Sequence, residues 1–207
     1  MNLYYAFAGI IAFATFAMMV REGIWNNLIN TIAIVIGGLT AFGVHQPLVV
    51  MLDERLGGSY TYLLDFPVLW GVFALVTGVL KQLANQLSDT RVSFPDEVDN
   101  YGGAAIGLLG AYAMTGFGLA TFHTAPLSYD LGRNAYAMGV TASEAEQSLS
   151  DASGPLRPDV VWLGLVDYTM NPARLGEAGF SAPLWVAEHG RHRQAFESIQ
   201  ETAVKRS

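Results

Sequence analysis

His189-Gly190-Arg191-His192 holds the two imidazoles close enough in sequence to share a metal ion. At i and i+3 they lie on one helical face, but zinc takes three or four protein ligands and no third ligand is evident. With Arg193 they read as a solvated basic patch. His45 and His123 fall at the ends of apolar runs, where a half-polar ring is at home; proton movement is the alternative. Asp65 is the one acid inside a candidate membrane segment. Acids at membrane depth are functional suspects, and its place near the start of its run puts it at the edge. Asp96, Glu97 and Asp99 in "FPDEVDN" read as a solvated loop, with weak divalent-cation binding as the alternative.

Other chemistries lack their residues. There is no cysteine, which excludes disulfides, thiolate metal sites and thiol catalysis. No G-x-S-x-G, H-E-x-x-H, Walker loop or dinucleotide glycine fingerprint is present. The expectation is a protein that is not an enzyme and carries no cofactor. The net charge of -7, without a Lys/Arg run, argues against nucleic acid, whose binding requires phosphate neutralisation.

The elements that must position these residues are apolar. Of 207 residues 52% are hydrophobic and only 14% charged, with a mean hydropathy of +0.32; soluble chains run nearer a quarter charged. Four segments predict an all-α integral membrane four-helix bundle over residues 1–125, with spans at about 3–20, 28–46, 62–84 and 102–123. Leu3 to Val20 is eighteen residues without charge, the length of a spanning candidate, with Tyr4 and Tyr5 as interfacial anchors. No Lys or Arg precedes it, against a signal peptide. Pro47 is expected to end the second span. The third has Phe66 to Leu80 as its uninterrupted core, extended by Tyr60, Tyr62 and Trp70, with Lys81 snorkelling at its end.

The fourth span, Tyr101 to Phe122, has no charge and six glycines in twenty-two residues. Glycine costs a helix roughly 1 kcal/mol against alanine. In lipid, however, helices associate by close packing, which small residues permit. Gly103, Gly107, Ala111 and Thr115 recur every four residues as one smooth stripe, widened by Gly110, Ala113 and Gly118. Gly37, Gly38 and Ala41 offer a similar surface on the second span. Packing within the chain is the plain reading; a seam between copies is the other.

Arg21, Lys81 and Arg91 share one side, against Arg55 and Arg133 on the other. The positive-inside rule therefore places the first and third loops in the cytoplasm and the tail outside, periplasmic in a two-membrane bacterium. The tail, 126–207, reads as a Ser/Ala/Gly-rich linker followed by two or three short helices. Thr141-Ala-Ser-Glu144 fits a capping box, with a helix from about Ser143 to Leu149. In "PDVVWLGLVDYTM", Val161, Trp162, Leu165, Val166 and Thr169 share a helical face, either in a small soluble subdomain or on the membrane surface. A last helix is expected from about Arg191, with Ala195, Phe196, Ile199 and Ala203 as its apolar stripe.

Two stretches together resemble a known family. "MVREGIWNNLINTIAIVIGGLTAF" has a first span ending in Arg-x-Gly before a glycine-bearing second span. "VDNYGGAAIGLLGAYAMTGFGL" has Asp-x-x-Gly-Gly followed by G-x-x-G repeats. With the four-span layout, residues 1–127 are similar to the colicin V production proteins. These are small inner-membrane proteins of bacteria, associated with colicin V production and envelope maintenance. Arg21, Gly23, Asp99, Gly103 and Gly107 match the family pattern by position. Asn26 and Asn27 stand near where the family often has an Arg-Glu pair. The resemblance implies a multi-pass inner-membrane protein assisting secretion or envelope homeostasis, with no defined reaction. A small channel or transporter subunit is the alternative. The expected partners are the lipid bilayer and a second copy or another membrane protein.

Overall fold

Charge-free runs of this length satisfy their own backbone only as helices, and helices are what form. The computed structural model describes residues 3–56, 61–87, 94–125, 136, 138–174 and 180–204, with no side-chain description at 61–63 and 196–204. The side chains of Tyr60, Tyr62, Arg91 and Arg133 and most of the expected linker lie outside these residues. The described chain is all-α, with seven helices: α1 (Leu3–Met19), α2 (Ile24–Leu56), α3 (Thr61–Leu87), α4 (Asp96–Thr121), α5 (Ala142–Asp151), α6 (Pro158–Thr169) and α7 (Ala182–Val204). Three of them, α2, α3 from Leu64, and α4, are long and apolar enough to cross a membrane, and α1 is a shorter apolar helix.

The first four helices alternate in direction. Phe7 of α1 meets Phe122 just beyond α4, at 5.3 Å between rings. The other end of α1 meets the middle of α4, where a Cβ added at Gly110 would lie 2.6 Å from Met19 Cε. α2 runs beside α4 in the same sense, from Asn27 on Gly103 to Phe42 on Phe117. α3 returns against both: Thr77 Oγ1 donates to the Ala33 carbonyl at 3.4 Å, and Trp70 Nε1 to Thr121 Oγ1 at 3.0 Å. Phe117 of α4 is the hub, stacked on Phe73 at 4.2 Å and edge-on to Trp70 and Trp162.

α2 departs from expectation. It does not end at Pro47 but continues to Leu56, giving 33 residues or about 50 Å. Proline removes one amide donor and crowds the preceding turn, which kinks a helix but need not end it when neighbours hold both flanks. Here Gly43 rests against Met170 and Val49 is buried beyond the proline.

The tail departs further: it is built into the bundle. α5 begins at Ala142 with the expected capping box. Glu144 N donates to Thr141 Oγ1 at 3.4 Å, and Thr141 N to Glu144 Oε2 at 3.2 Å. α6 lies along the second half of α4, where a Cβ added at Gly116 would lie 2.7 Å from the Pro158 carbonyl oxygen. Its buried face is Pro158, Asp159, Val160, Trp162, Leu163 and Val166. Val161, assigned inward from the apolar spacing, is 44% exposed. The helix is rotated because Asp159 turns inward to partners supplied by other segments.

α7 begins nine residues earlier than expected, at Ala182 rather than Arg191. Gly190 does not interrupt it but lets it approach the chain, since a Cβ there would lie 2.6 Å from the Gly139 carbonyl oxygen. Asp167 Oδ1 accepts from Ala182 N at 3.1 Å and so caps α7 from α6. Ala195, placed in the apolar stripe, is exposed.

Gly116→Ala is expected to destabilise by about 1–3 kcal/mol, because the new methyl meets a backbone atom that cannot move aside. Gly78→Ala, whose Cβ would meet nothing within 4 Å, is expected to be neutral or to stabilise by up to about 1 kcal/mol through helix propensity. Thermal unfolding followed by circular dichroism reads both.

Candidate functional site

Polar side chains gather at the two ends of the bundle, and each cluster joins segments far apart in sequence. At the first end, the chain turns between α1 and α2, with Glu22 N donating to the Met19 carbonyl at 2.9 Å, and the carbonyls of Met19 and Glu22 face inward. Asn27, wholly buried, donates its amide to both, at 2.9 and 3.0 Å, and to the Gly103 carbonyl of α4 at 2.8 Å. Asp99 Oδ1 accepts from Ile24 N at 2.9 Å, capping α2 from another helix. Gly23 and Gly103 allow this approach. A Cβ on Gly23 would lie 2.4 Å from Asp99 Oδ2, and one on Gly103 would lie 2.6 Å from the Glu22 oxygen. Gly23, Asp99 and Gly103 are thus brought together, whereas Arg21 is exposed beside them.

The remaining small residues lie on neighbouring helices of the same chain. Gly107 packs on Met19 and Asn27, and Gly110 on Met19 and Thr31. Gly37 faces Thr77 of α3, and Gly38 faces Trp162 of α6 and Phe117. Ala41, Ala111 and Thr115 are buried, and Thr115 Oγ1 donates to the Ala111 carbonyl at 2.7 Å.

The second end is charged. α4 closes in a turn that carries His123 into the core, and α6 opens at Pro158 with Asp159 in its first turn, where the helix dipole favours an acid. Arg157 grips the Asp159 carboxylate with two bonds, Nε to Oδ1 at 3.0 Å and Nη2 to Oδ2 at 2.8 Å. The Tyr4 hydroxyl donates to Oδ1, and His123 Nε2 lies 3.4 Å from Oδ2. The Arg157 guanidinium also covers the Tyr4 ring at 4.7 Å. Tyr136 packs edge-on to both Tyr4 and His123, and Arg193 Nη2 donates to its carbonyl at 2.7 Å. His123 Nδ1 and the Tyr136 hydroxyl are buried without a hydrogen-bond partner among the described residues.

Burial alone would raise the pKa of Asp159, but the contacts from His123 and Arg157 outweigh it and hold the carboxyl well below the usual carboxylate range. The Tyr136 phenol is pushed up, chiefly by burial and then by the Asp159 charge, and stays neutral. A carboxylate so fully supplied with donors is a poor base. What this arrangement does is hold the start of α1, the end of α4 and the start of α6 together.

Asp65 sits beside this end, with Oδ2 3.6 Å from His189 Nε2, while His189 Nδ1 lies 2.7 Å from the Trp185 carbonyl. The expected solvated patch is therefore corrected for two of its members. His189 and Arg193 are 6% and 4% exposed, because α7 starts early enough to turn them into the core; Arg191 alone faces out. His45 is buried as well, with Nδ1 2.9 Å from the Phe42 carbonyl. His192 has its pKa lowered, by burial first and then by His189. Among the described residues no three His, Asp or Glu side chains gather to hold a metal ion.

Sequence reasoning missed Asn27, Asp159, Arg157 and Tyr136 as members of these clusters. For Asn27 a signal existed: an amide at the head of an apolar helix must find partners when buried. For Asp159 and Arg157 there was none, since Tyr4 and Asp159 are 155 residues apart. Comparison with protein-family models, with curated proteins and with solved structures finds no match.

Asp159→Ala removes one member of a buried ion pair and strands Arg157, and is expected to cost about 3–5 kcal/mol. Limited proteolysis of the tail should quicken accordingly. The pH dependence follows from the depressed pKa. The stabilisation is complete above the unfolded aspartate value of about 3.9 and is lost as pH falls below it through the folded value. Acid release of the tail should therefore begin below about pH 4 in the wild type, and this acid limb should be absent from Asp159→Ala.

Proposed function

We propose that this chain is an integral membrane protein of four antiparallel spans, α1–α4, with its C-terminal helices docked on one end, and that it works as a non-enzymatic scaffold in secretion or envelope maintenance. The observation that carries this reading is the inverted surface of the bundle. Ile10, Phe13 and Met18 of α1 are 64%, 75% and 78% exposed, Leu75 of α3 is 68%, and Leu108 and Leu109 of α4 are 61% and 64%. The polar contacts of Asn27, Asp99 and Asp159 lie inside or at the ends. A large continuous apolar surface marks a lipid or protein interface, and this one surrounds helices of spanning length. α1, at 17 residues, covers about 26 Å, which a locally thinned bilayer accommodates.

The resemblance of residues 1–127 to the colicin V production proteins supports the inner membrane as the location and export or envelope homeostasis as the process. A scaffold fits the clusters, which fasten helices together. A channel or transporter would need its ionisable groups along a wet path, whereas His123 is enclosed by Asp159, Tyr136 and Trp185, and His45 is buried against Phe42. The bias of Arg21, Lys81 and Arg91 puts the Asn27 joint on the cytoplasmic side and the Asp159 cluster outside.

The native chain has no cysteine, so single-cysteine scanning tests the reading directly. Cysteines at Phe13, Leu75 and Leu109 should resist water-soluble maleimide in native membranes and react after denaturation in SDS. A cysteine at Asp151 should react from the outer face. Full-length protein that stays monodisperse without detergent after ultracentrifugation would overturn the reading; labelling of position 151 from the cytoplasm alone would reverse only the orientation.

A further inference from the structure

Where the α1–α2 turn meets the last turns of α3, the structure forms a half-open cavity of about 210 Å³ lined by Glu22, Asn26, Ile29, Asn30, Lys81 and Asn85. Its lining is one cation, one anion, three carboxamides and one apolar side chain. Asn26 and Asn30 are one turn apart on α2, and Lys81 and Asn85 one turn apart on α3, so each helix presents a matched pair to the gap. Among the described residues neither Glu22 nor Lys81 takes part in a salt bridge. The opposite charges are held across a space rather than against each other.

The position is as telling as the lining. Lys81 directly follows the uncharged run Phe66 to Leu80, so the cavity lies at the rim of the apolar belt. Toward the middle of the bundle α3 continues the same face with Gly78 and Ala74. Ala74 is exposed, and a Cβ on Gly78 would meet nothing within 4 Å. Across the seam, two turns on from Ile29, Ile36 is 43% exposed. A polar cavity thus opens onto a smooth apolar lane.

Building on the membrane reading above, we propose that this corner binds an ethanolamine phospholipid, headgroup in the cavity and one acyl chain along the α2–α3 lane. The lipid phosphate accepts from the Lys81 ammonium and from the carboxamides, and the lipid ammonium donates to the Glu22 carboxylate. One positive and one negative side chain match a zwitterion. A purely anionic headgroup would set a second negative charge against Glu22, and a choline headgroup has no N–H to give it.

The test uses full-length protein in nanodiscs of equal parts phosphatidylethanolamine, phosphatidylglycerol and phosphatidylcholine, with co-purified lipid counted by native mass spectrometry. Wild type should retain phosphatidylethanolamine roughly three- to tenfold over the others, the range of one charge-assisted hydrogen bond at a partly exposed site. Glu22→Gln should lose that preference and gain phosphatidylglycerol; Lys81→Gln should lose both lipids. Both variants should melt with the wild type, since neither side chain is buried. Equal retention of the three lipids, a wild-type preference for phosphatidylglycerol, or variants that behave as wild type would overturn the site. Insertion of the protein into the nanodisc with no such preference would leave the membrane reading standing and remove this one alone.

Discussion

Close approach to α4 is the constraint on which the rest of the molecule depends. Three different segments reach its surface at three heights. The α1–α2 turn touches it at Gly103, Met19 at Gly107 and Gly110, and the start of α6 at Gly116. At Gly103 and Gly116 the partner is backbone, so a side chain on α4 could not be accommodated by a change of rotamer. Each glycine weakens α4 by roughly 1 kcal/mol as a helix in water, but in a medium without competing hydrogen bonds the helix is secure and the packing contact is the net gain.

Packing of smooth surfaces fixes distance but not register, because small residues slide past one another. Register is supplied at the ends by polar groups. Asn27 ties two carbonyls of the α1–α2 turn to one on α4, and Asp99 caps α2 across the gap. At the opposite end Asp159 fixes Tyr4, His123 and Arg157 around one carboxylate. A buried pair of this kind adds little net stability over well-packed apolar residues, but breaking it is costly. Its use here is to admit one alignment of α1, α4 and α6.

What the sequence made legible was local. Uncharged runs located the apolar helices, and Thr141 with Glu144 located the start of α5. The small side chains spaced by four on α4 lie where the α1–α2 turn and Met19 approach it. The illegible features depended on partners distant in the chain. α2 passes Pro47 because Met170 and the tail support it. α6 is rotated from its apolar spacing because Asp159 turns inward, where Tyr4, His123 and Arg157 meet its carboxylate. α7 extends through Gly190 because Gly139 needs the room. In each case a local rule met a tertiary contact that outweighed it.

The same contacts decide which surfaces remain for others. The stripe on α4 is filled by α1, α2 and α6, and Gly37 and Gly38 are filled by Thr77 and Trp162. A second copy of the chain could reach none of these without dismantling the bundle. Exposed apolar bulk lies on all four helices, at Ile10 and Phe13 of α1, Ile36 of α2, Leu75 of α3 and Leu108 of α4, and on α3 Leu75 stands between Gly71 and Gly78, where added Cβ atoms would meet nothing. Apolar bulk suits fluid lipid, whereas a small-residue track suits a tightly held chain or helix. α3 is the least buried of the three long apolar helices, and its open glycines make it a side from which close recognition can come.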